Sequence, residues 1–200
     1  MTQKQLAITL SKLDVFSSPK LKEEQYPTDS DIAANILWTA DLNRDIENKT
    51  IADLGTGTGI LGIGCLLLGA KKVFFVEKDE DAVSVLKKNL ELFEFDNYEI
   101  VHSNIKDFTT KVDVVVQNPP FGTKNRHADL IFLEKAINLS KIIYSFHKTE
   151  TKNEIERFIG ERNCKTTQYF EFKFPLKQTM SQHRKKIERI NVSCWRIEKR

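Results

Sequence analysis

Asn118-Pro119-Pro120-Phe121 follows directly on the apolar run Val112-Asp113-Val114-Val115-Val116-Gln117. The prolines can neither continue a helix nor donate to a sheet ladder, so the backbone is held rigid where the strand ends. A short amide precedes them and an aromatic ring follows. Such a clamp can hold a flat, amine-bearing group between hydrogen-bond acceptors and a stacking face. The exocyclic amine of a base is a poor nucleophile, because its lone pair is delocalised into the ring. The side-chain oxygen of Asn118 and the carbonyl of Pro119 can each accept one N–H. The nitrogen is then favoured as tetrahedral, with its lone pair aimed at an electrophile such as a methyl group. Acceptors that strengthen as positive charge grows on nitrogen favour the transition state over the ground state, and alignment supplies much of the remainder. No strong base is needed, since the alkylated ammonium loses its proton readily. Phe121 can stack on the base, an interaction of about 1–3 kcal/mol.

A donor site lies upstream. Asp53-Leu54-Gly55-Thr56-Gly57-Thr58-Gly59 sits between an apolar run and a helical pattern, where glycines let the backbone turn sharply and approach a ligand. Gly57-Thr58-Gly59-Ile60-Leu61-Gly62 formally matches the dinucleotide fingerprint G-x-G-x-x-G. Asp53 argues against that match, because a carboxylate before the first glycine repels a pyrophosphate. It attracts an ammonium or a sulfonium centre instead, and D-x-G-x-G-x-G is the loop pattern of S-adenosylmethionine enzymes. Glu77 ends the next strand and can accept both ribose hydroxyl protons. The next contact is expected at Ser103-Asn104-Ile105, where the Asn104 side-chain oxygen can accept from an adenine amine.

A base within structured RNA must be turned out of its stack to reach such a pocket, so cations are expected around it. Lys124, Asn125, Arg126 and His127 follow the proline motif, and His183-Arg184-Lys185-Lys186 lies between the last two strand patterns. Residues 151–200 hold 13 Lys/Arg against 6 Asp/Glu, while residues 1–150 hold 18 against 22. A basic quarter on a neutral-to-acidic body fits a nucleic-acid partner. The three cysteines are far apart and form no Cys-x-x-Cys pair, which argues against a zinc site or disulfide framework and for the cytoplasm. No secretory signal is read at the first residues, and no apolar run is long enough to span a bilayer.

The elements that must position these residues follow from periodicity. Thr2–Leu13 reads as a short amphipathic helix, and Asp29 or Ser30 caps a second with Ile32, Ile36, Leu37 and Ala40 inside. Strands are expected at Thr50–Leu54, Lys72–Glu77, Tyr98–His102, Val112–Gln117 and Lys141–Phe146. Helices are expected at Ile60–Leu68, Asp81–Phe93 (with Val85, Leu86, Asn89 and Leu92 at helical offsets), Ala128–Leu139 and Thr151–Arg162. Thr166–Phe174 and Arg189–Ile197 alternate as half-exposed antiparallel strands do. The expectation is an α/β Rossmann-like fold: a seven-stranded, mostly parallel sheet with an antiparallel C-terminal hairpin and helices on both faces. At 200 residues one domain is expected, with 1–48 a helical extension carrying a cofactor lid and 49–200 the catalytic core.

Gln25-Tyr26-Pro27-Thr28, the glycine loop, Asn118-Pro119-Pro120-Phe121-Gly122-Thr123-Lys124 and His183-Arg184-Lys185-Lys186 together resemble the methyltransferase-like protein 5 family over essentially the whole chain. Asn-Pro-Pro-Phe is shared with other amino methyltransferases; its Gly-Thr-Lys extension and Gln-Tyr-Pro-Thr are more specific. The resemblance implies S-adenosylmethionine-dependent formation of N6-methyladenosine in small-subunit ribosomal RNA. It implies that Gln25 and Thr28 close over the methionine end of the cofactor, with Gly55 and Thr58 along it, Glu77 at the ribose and Asn104 at the adenine. Asn118 to Phe121 would hold the target adenine. Eukaryotic members work with a small zinc-binding activator that adds a strand to the sheet edge, here Tyr98–Ser103. Thr56 and Thr58 stand where animal members carry cysteines, and Asn104 replaces an aspartate. The residues by themselves leave other readings open: a guanine N2, DNA adenine or protein glutamine acceptor, a nicotinamide-dependent oxidoreductase, or a non-catalytic RNA-binding module.

Overall fold

The computed structural model describes residues 1–16, 20, 26–121, 127–177 and 187–200, with side chains 175–177 and 187–189 outside the description. Gln25, Lys124, Arg126 and the His183–Lys186 cluster therefore lie outside the described residues.

Two helices, α1 (Gln3–Leu10) and α2 (Ser30–Leu42), precede the sheet. Asp29 caps α2 by accepting from the Asp31 and Ile32 amides, as its short carboxylate suits it to do. There follow β1 (Thr50–Leu54), α3 (Ile60–Leu67), β2 (Lys72–Glu77), α4 (Glu80–Leu90), β3 (Tyr98–His102), a 3-10 turn at Ile105–Asp107, β4 (Val114–Gln117), α5 (Ala128–Leu139), β5 (Ile142–Lys148), α6 (Lys152–Gly160), β6 (Cys164–Lys177) and β7 (Ile187–Lys199). The sheet runs β3-β2-β1-β4-β5-β7-β6. The first five strands are parallel, and β7 is antiparallel to both β5 and β6. The expected topology is present.

Alternation along the strands sorts the core into two layers. Ile51, Val114 and Val116 face α1 to α4, sharing one cluster with Leu6, Leu37, Ile63 and Leu86. Ala52 and Val115 face α5 and α6, packing with Leu133, Ile137 and Ile155. Among the described residues no helix is long and apolar enough to cross a membrane. The cysteines are free and buried.

Differences from the sequence reading fall at element ends. α4 stops at Leu90, so Leu92 is 60% exposed and Val85 only partly covered; Ala82, Val83, Leu86, Asn89 and Leu90 form the inner stripe. β4 begins at Val114, because the Asp113 carboxylate accepts from the amide and hydroxyl of Thr50 at the strand entrance. A 3-10 turn at Thr149–Thr151 delays the start of α6. β6 and β7 run 14 and 13 residues, longer than their apolar alternation, because each pairs with the other from Cys164↔Lys199 to Lys177↔Ile187.

Candidate active site

The carboxyl ends of β1, β2 and β4 open on a cavity of about 350 Å³, a size suited to a nucleoside-bearing ligand. Its floor is the loop after β1. Gly55 (φ 65°) and Gly57 (φ 58°) have left-handed backbones. A Cβ on Gly55 would stand 2.7 Å from the Phe132 ring, and one on Gly57 would stand 2.9 Å from the Phe16 ring. Both positions therefore require glycine for conformation and for space.

Asp53 and Glu77 hold this loop. The Asp53 Oδ2 accepts from Thr56 Oγ1 at 2.6 Å and from the Gly62 amide at 2.8 Å. Asp53 is 1% exposed. Burial pushes its carboxyl up to about 7, even though those two hydrogen bonds favour the charged form. Glu77 Oε2 accepts from the Gly57 amide at 2.9 Å, and its Oε1 accepts from the Lys78 and Asp79 amides. Carboxylate oxygens accept more than one bond, so both groups can still face a ligand while they shape the loop.

At the far wall Asn104 starts the 3-10 turn, its Oδ1 accepting from the Lys106 amide at 3.0 Å. The turn role and an adenine contact therefore share one oxygen. Ile105 lies beside it, 7% exposed.

Asn118 enters from the end of β4. Its Nδ2 donates to Thr28 Oγ1 at 2.9 Å, which fixes the amide's orientation. Its Oδ1 is buried and has no hydrogen-bond partner among the described residues. Buried acceptors are rarely left unpaired, and the exceptions point to strain or function.

Of the cofactor-binding residues expected from sequence, Thr28, Asp53, Gly55, Thr58, Glu77, Asn104 and Ile105 all line the cavity, as do Asn118 and Pro120. Phe121 is outside this lining. It is 7% exposed, with its ring edge-on to Phe174 at 6.4 Å between centroids. Sequence reasoning missed Phe16 and Phe132, which line the cavity and press on the two glycines. Phe16 belongs to no spacing pattern, whereas Phe132 lines the cavity with Ala128 and Ile131 at helical spacing on α5.

The methyltransferase small domain family model matches residues 14–141. The rRNA N(6)-adenosine-methyltransferase METTL5 of Danio rerio is 37% identical over 204 residues, covering 98% of this chain and 99% of its own. The chain belongs to the METTL5 family of methyltransferases. The Drosophila melanogaster member of the family is 35% identical over 94% of this chain and 92% of its own. The crystal structure of PH1948 from Pyrococcus horikoshii, a candidate RNA methyltransferase, superposes with a TM-score of 0.92. It is 44% identical and covers 100% of this chain and 98% of that one. The fold is the Rossmann-like class I methyltransferase fold, and this chain is an enzyme whose cofactor is S-adenosylmethionine. The chemistry of the lining fits that group: the buried carboxylate of Asp53, the Glu77 carboxylate and the glycine floor all face the cavity. The oxidoreductase reading of Gly57–Gly62 falls away on this membership.

Proposed function

We propose that this protein methylates the N6 amine of an adenine in small-subunit ribosomal RNA. The observation that carries the reading is the Asn118 side-chain oxygen, buried without a partner among the described residues while Thr28 holds the other end of the amide. The named activity of the Danio rerio and Drosophila melanogaster relatives supports rRNA adenine as the acceptor. The small-subunit assignment rests on the resemblance of the Gly122-Thr123-Lys124 extension and of the basic His183–Lys186 segment.

S-adenosylmethionine supplies an electrophilic methyl group on a sulfonium centre. Asp53 attracts the cationic end, Glu77 accepts from the ribose hydroxyls, and Asn104 with Ile105 receives the adenine. Gln25 and Thr28 belong to the segment that covers the methionine end. Asn118 Oδ1 accepts one N–H of the target amine and the Pro119 carbonyl accepts the other, so both bonds tighten as nitrogen becomes positive. The surplus proton then leaves to solvent. Phe121 stacks on the base after turning out of its contact with Phe174. Lys124, Arg126, His183, Arg184, Lys185 and Lys186 contact phosphates. Residues 1–200 act as one cytoplasmic methyltransferase domain.

We further place a small zinc-binding activator on β3, which stands at the sheet edge with its outer backbone groups open to an added strand. Deuterium exchange at Tyr98–His102 should slow when that subunit is added; unchanged exchange contradicts the docking. The activity is tested by incubating protein, with and without activator, with labelled cofactor and small-subunit RNA, and in parallel with DNA and with ribosomal protein, then resolving the labelled nucleosides and amino acids. Label in N6-methyladenosine is expected. Label only in N2-methylguanosine, in DNA adenine or in protein glutamine would assign another acceptor.

A further inference from the structure

We infer that a buried hydrogen-bond chain, Asp129–His147–Ser145–Gln117, holds the active-site segment in place, with Gln117, Ser145, His147 and Asp129 as positioning residues for Asn118. This rests on the reading of Asn118 as the acceptor for the target amine. Gln117 Nε2 donates to Ser145 Oγ at 2.9 Å, directly across the β4–β5 register. Ser145 Oγ lies 2.7 Å from His147 Nε2, and His147 Nδ1 lies 3.3 Å from Asp129 Oδ2. Gln117, Ser145 and His147 are 0% exposed and Asp129 is 7% exposed.

A singly protonated imidazole gives the chain one direction. An ionised carboxylate only accepts, so the Asp129 end requires a proton on His147 Nδ1. With a single proton on the imidazole, His147 Nε2 accepts from the Ser145 hydroxyl, and the Ser145 oxygen is left to accept from Gln117. Gln117 must therefore present its NH2 to Ser145, which leaves its own Oε1 buried without a partner among the described residues. That orphaned oxygen is what a one-way chain produces at its end. Burial works against ionisation of Asp129, but the His147 hydrogen bond and local backbone amides outweigh it and hold the carboxyl below its usual range.

The placement gives the chain a task. Gln117 is the residue immediately before Asn118, and Asp129 lies in the first turn of α5, at the other end of the segment that starts with the proline motif. Both flanks of that segment are thus tied through one imidazole. Thr28 holds the Asn118 amide from a third direction. An apolar filling of the same volume would avoid desolvating four polar groups, so the polar chain is better explained by the geometry it enforces.

Ser145→Ala removes the middle link with minimal change in volume. We expect kcat to fall about 10- to 100-fold, as for a slightly misplaced reacting group, with cofactor Kd and melting temperature close to wild type. Asp129→Asn keeps the shape but frees the chain to reverse, and should show the same split between kcat and Kd. Nitrogen-15 NMR of the wild-type protein should find His147 protonated at Nδ1 and bare at Nε2. Wild-type kcat in Ser145→Ala would overturn the inference, as would parallel loss of kcat, cofactor binding and melting temperature. A His147 proton at Nε2 would overturn the direction of the chain. If Ser145→Ala fails to fold, the Asp129→Asn kinetics and the wild-type tautomer decide. Full activity in Asn118→Ala would instead sink the underlying reading, whatever the chain does.

Discussion

At the level of single residues the two carboxylates at the cavity do different work. Glu77 bridges three backbone amides and shapes the glycine loop from the neighbouring strand. Asp53 is buried more deeply, and its carboxyl is pushed up to about 7. A raised carboxyl pKa means the folded, ligand-free protein favours the neutral form. Folding stability therefore declines as pH rises from the ordinary carboxylate range toward 7, where the unfolded chain ionises freely. A cationic ligand reverses the preference, because it favours the ionised group. S-adenosylmethionine affinity should thus rise between about pH 6 and 8 as the proton on Asp53 is released. Asp53→Asn should weaken binding about tenfold, remove the part of that rise due to Asp53, and raise the melting temperature of the ligand-free protein at neutral pH. Calorimetry across this range, in buffers of different ionisation enthalpy, reads the proton directly. An identical pH profile in the variant would mean that Asp53 does not meet the cation.

Among the elements, the strand ends and the helices that follow them decide what can be seen from sequence. The apolar strands, the glycine loop and the Asn118 motif are local signals, and each was legible together with its place at a carboxyl end. Ala128–Leu139 is legible to its last residue, whereas the apolar period over Asp81–Phe93 runs past the end of α4, because Leu92 continues it after the helix has stopped. The ring packing was not legible. Phe121 reads as a free stacking face, whereas the fold offers it Phe174 from the last hairpin. Phe16 and Phe132 come to the cavity from a loop and a distant helix. The Gln117–Asp129 chain likewise joins three elements whose residues share no sequence spacing. The glycine floor carries its own prediction. Gly57→Ala adds left-handed strain of about 1–2 kcal/mol and a clash with Phe16. It should reduce cofactor affinity at least tenfold with only a modest fall in melting temperature, by calorimetry and thermal shift. Unchanged affinity would show that the loop is not the cofactor floor.

For the molecule as a whole, the uneven charge sets how RNA is met. The last fifty residues hold 13 of the 31 Lys/Arg. Replacing Arg184, Lys185 and Lys186 together by alanine should weaken RNA binding and reduce the slope of log affinity against log salt by about 2 to 3. Transfer at saturating RNA should persist, because those residues steer and hold the substrate without touching the reacting amine. A slope equal to that of wild type would remove the Arg184–Lys186 cluster from the interface. The account as a whole depends on one acceptor, the Asn118 oxygen. Single-turnover transfer to adenine N6 by Asn118→Ala, at saturating cofactor and RNA, tests it most directly. The expected result is a rate reduced about 10²- to 10³-fold with S-adenosylmethionine binding intact; transfer at the wild-type rate would contradict it.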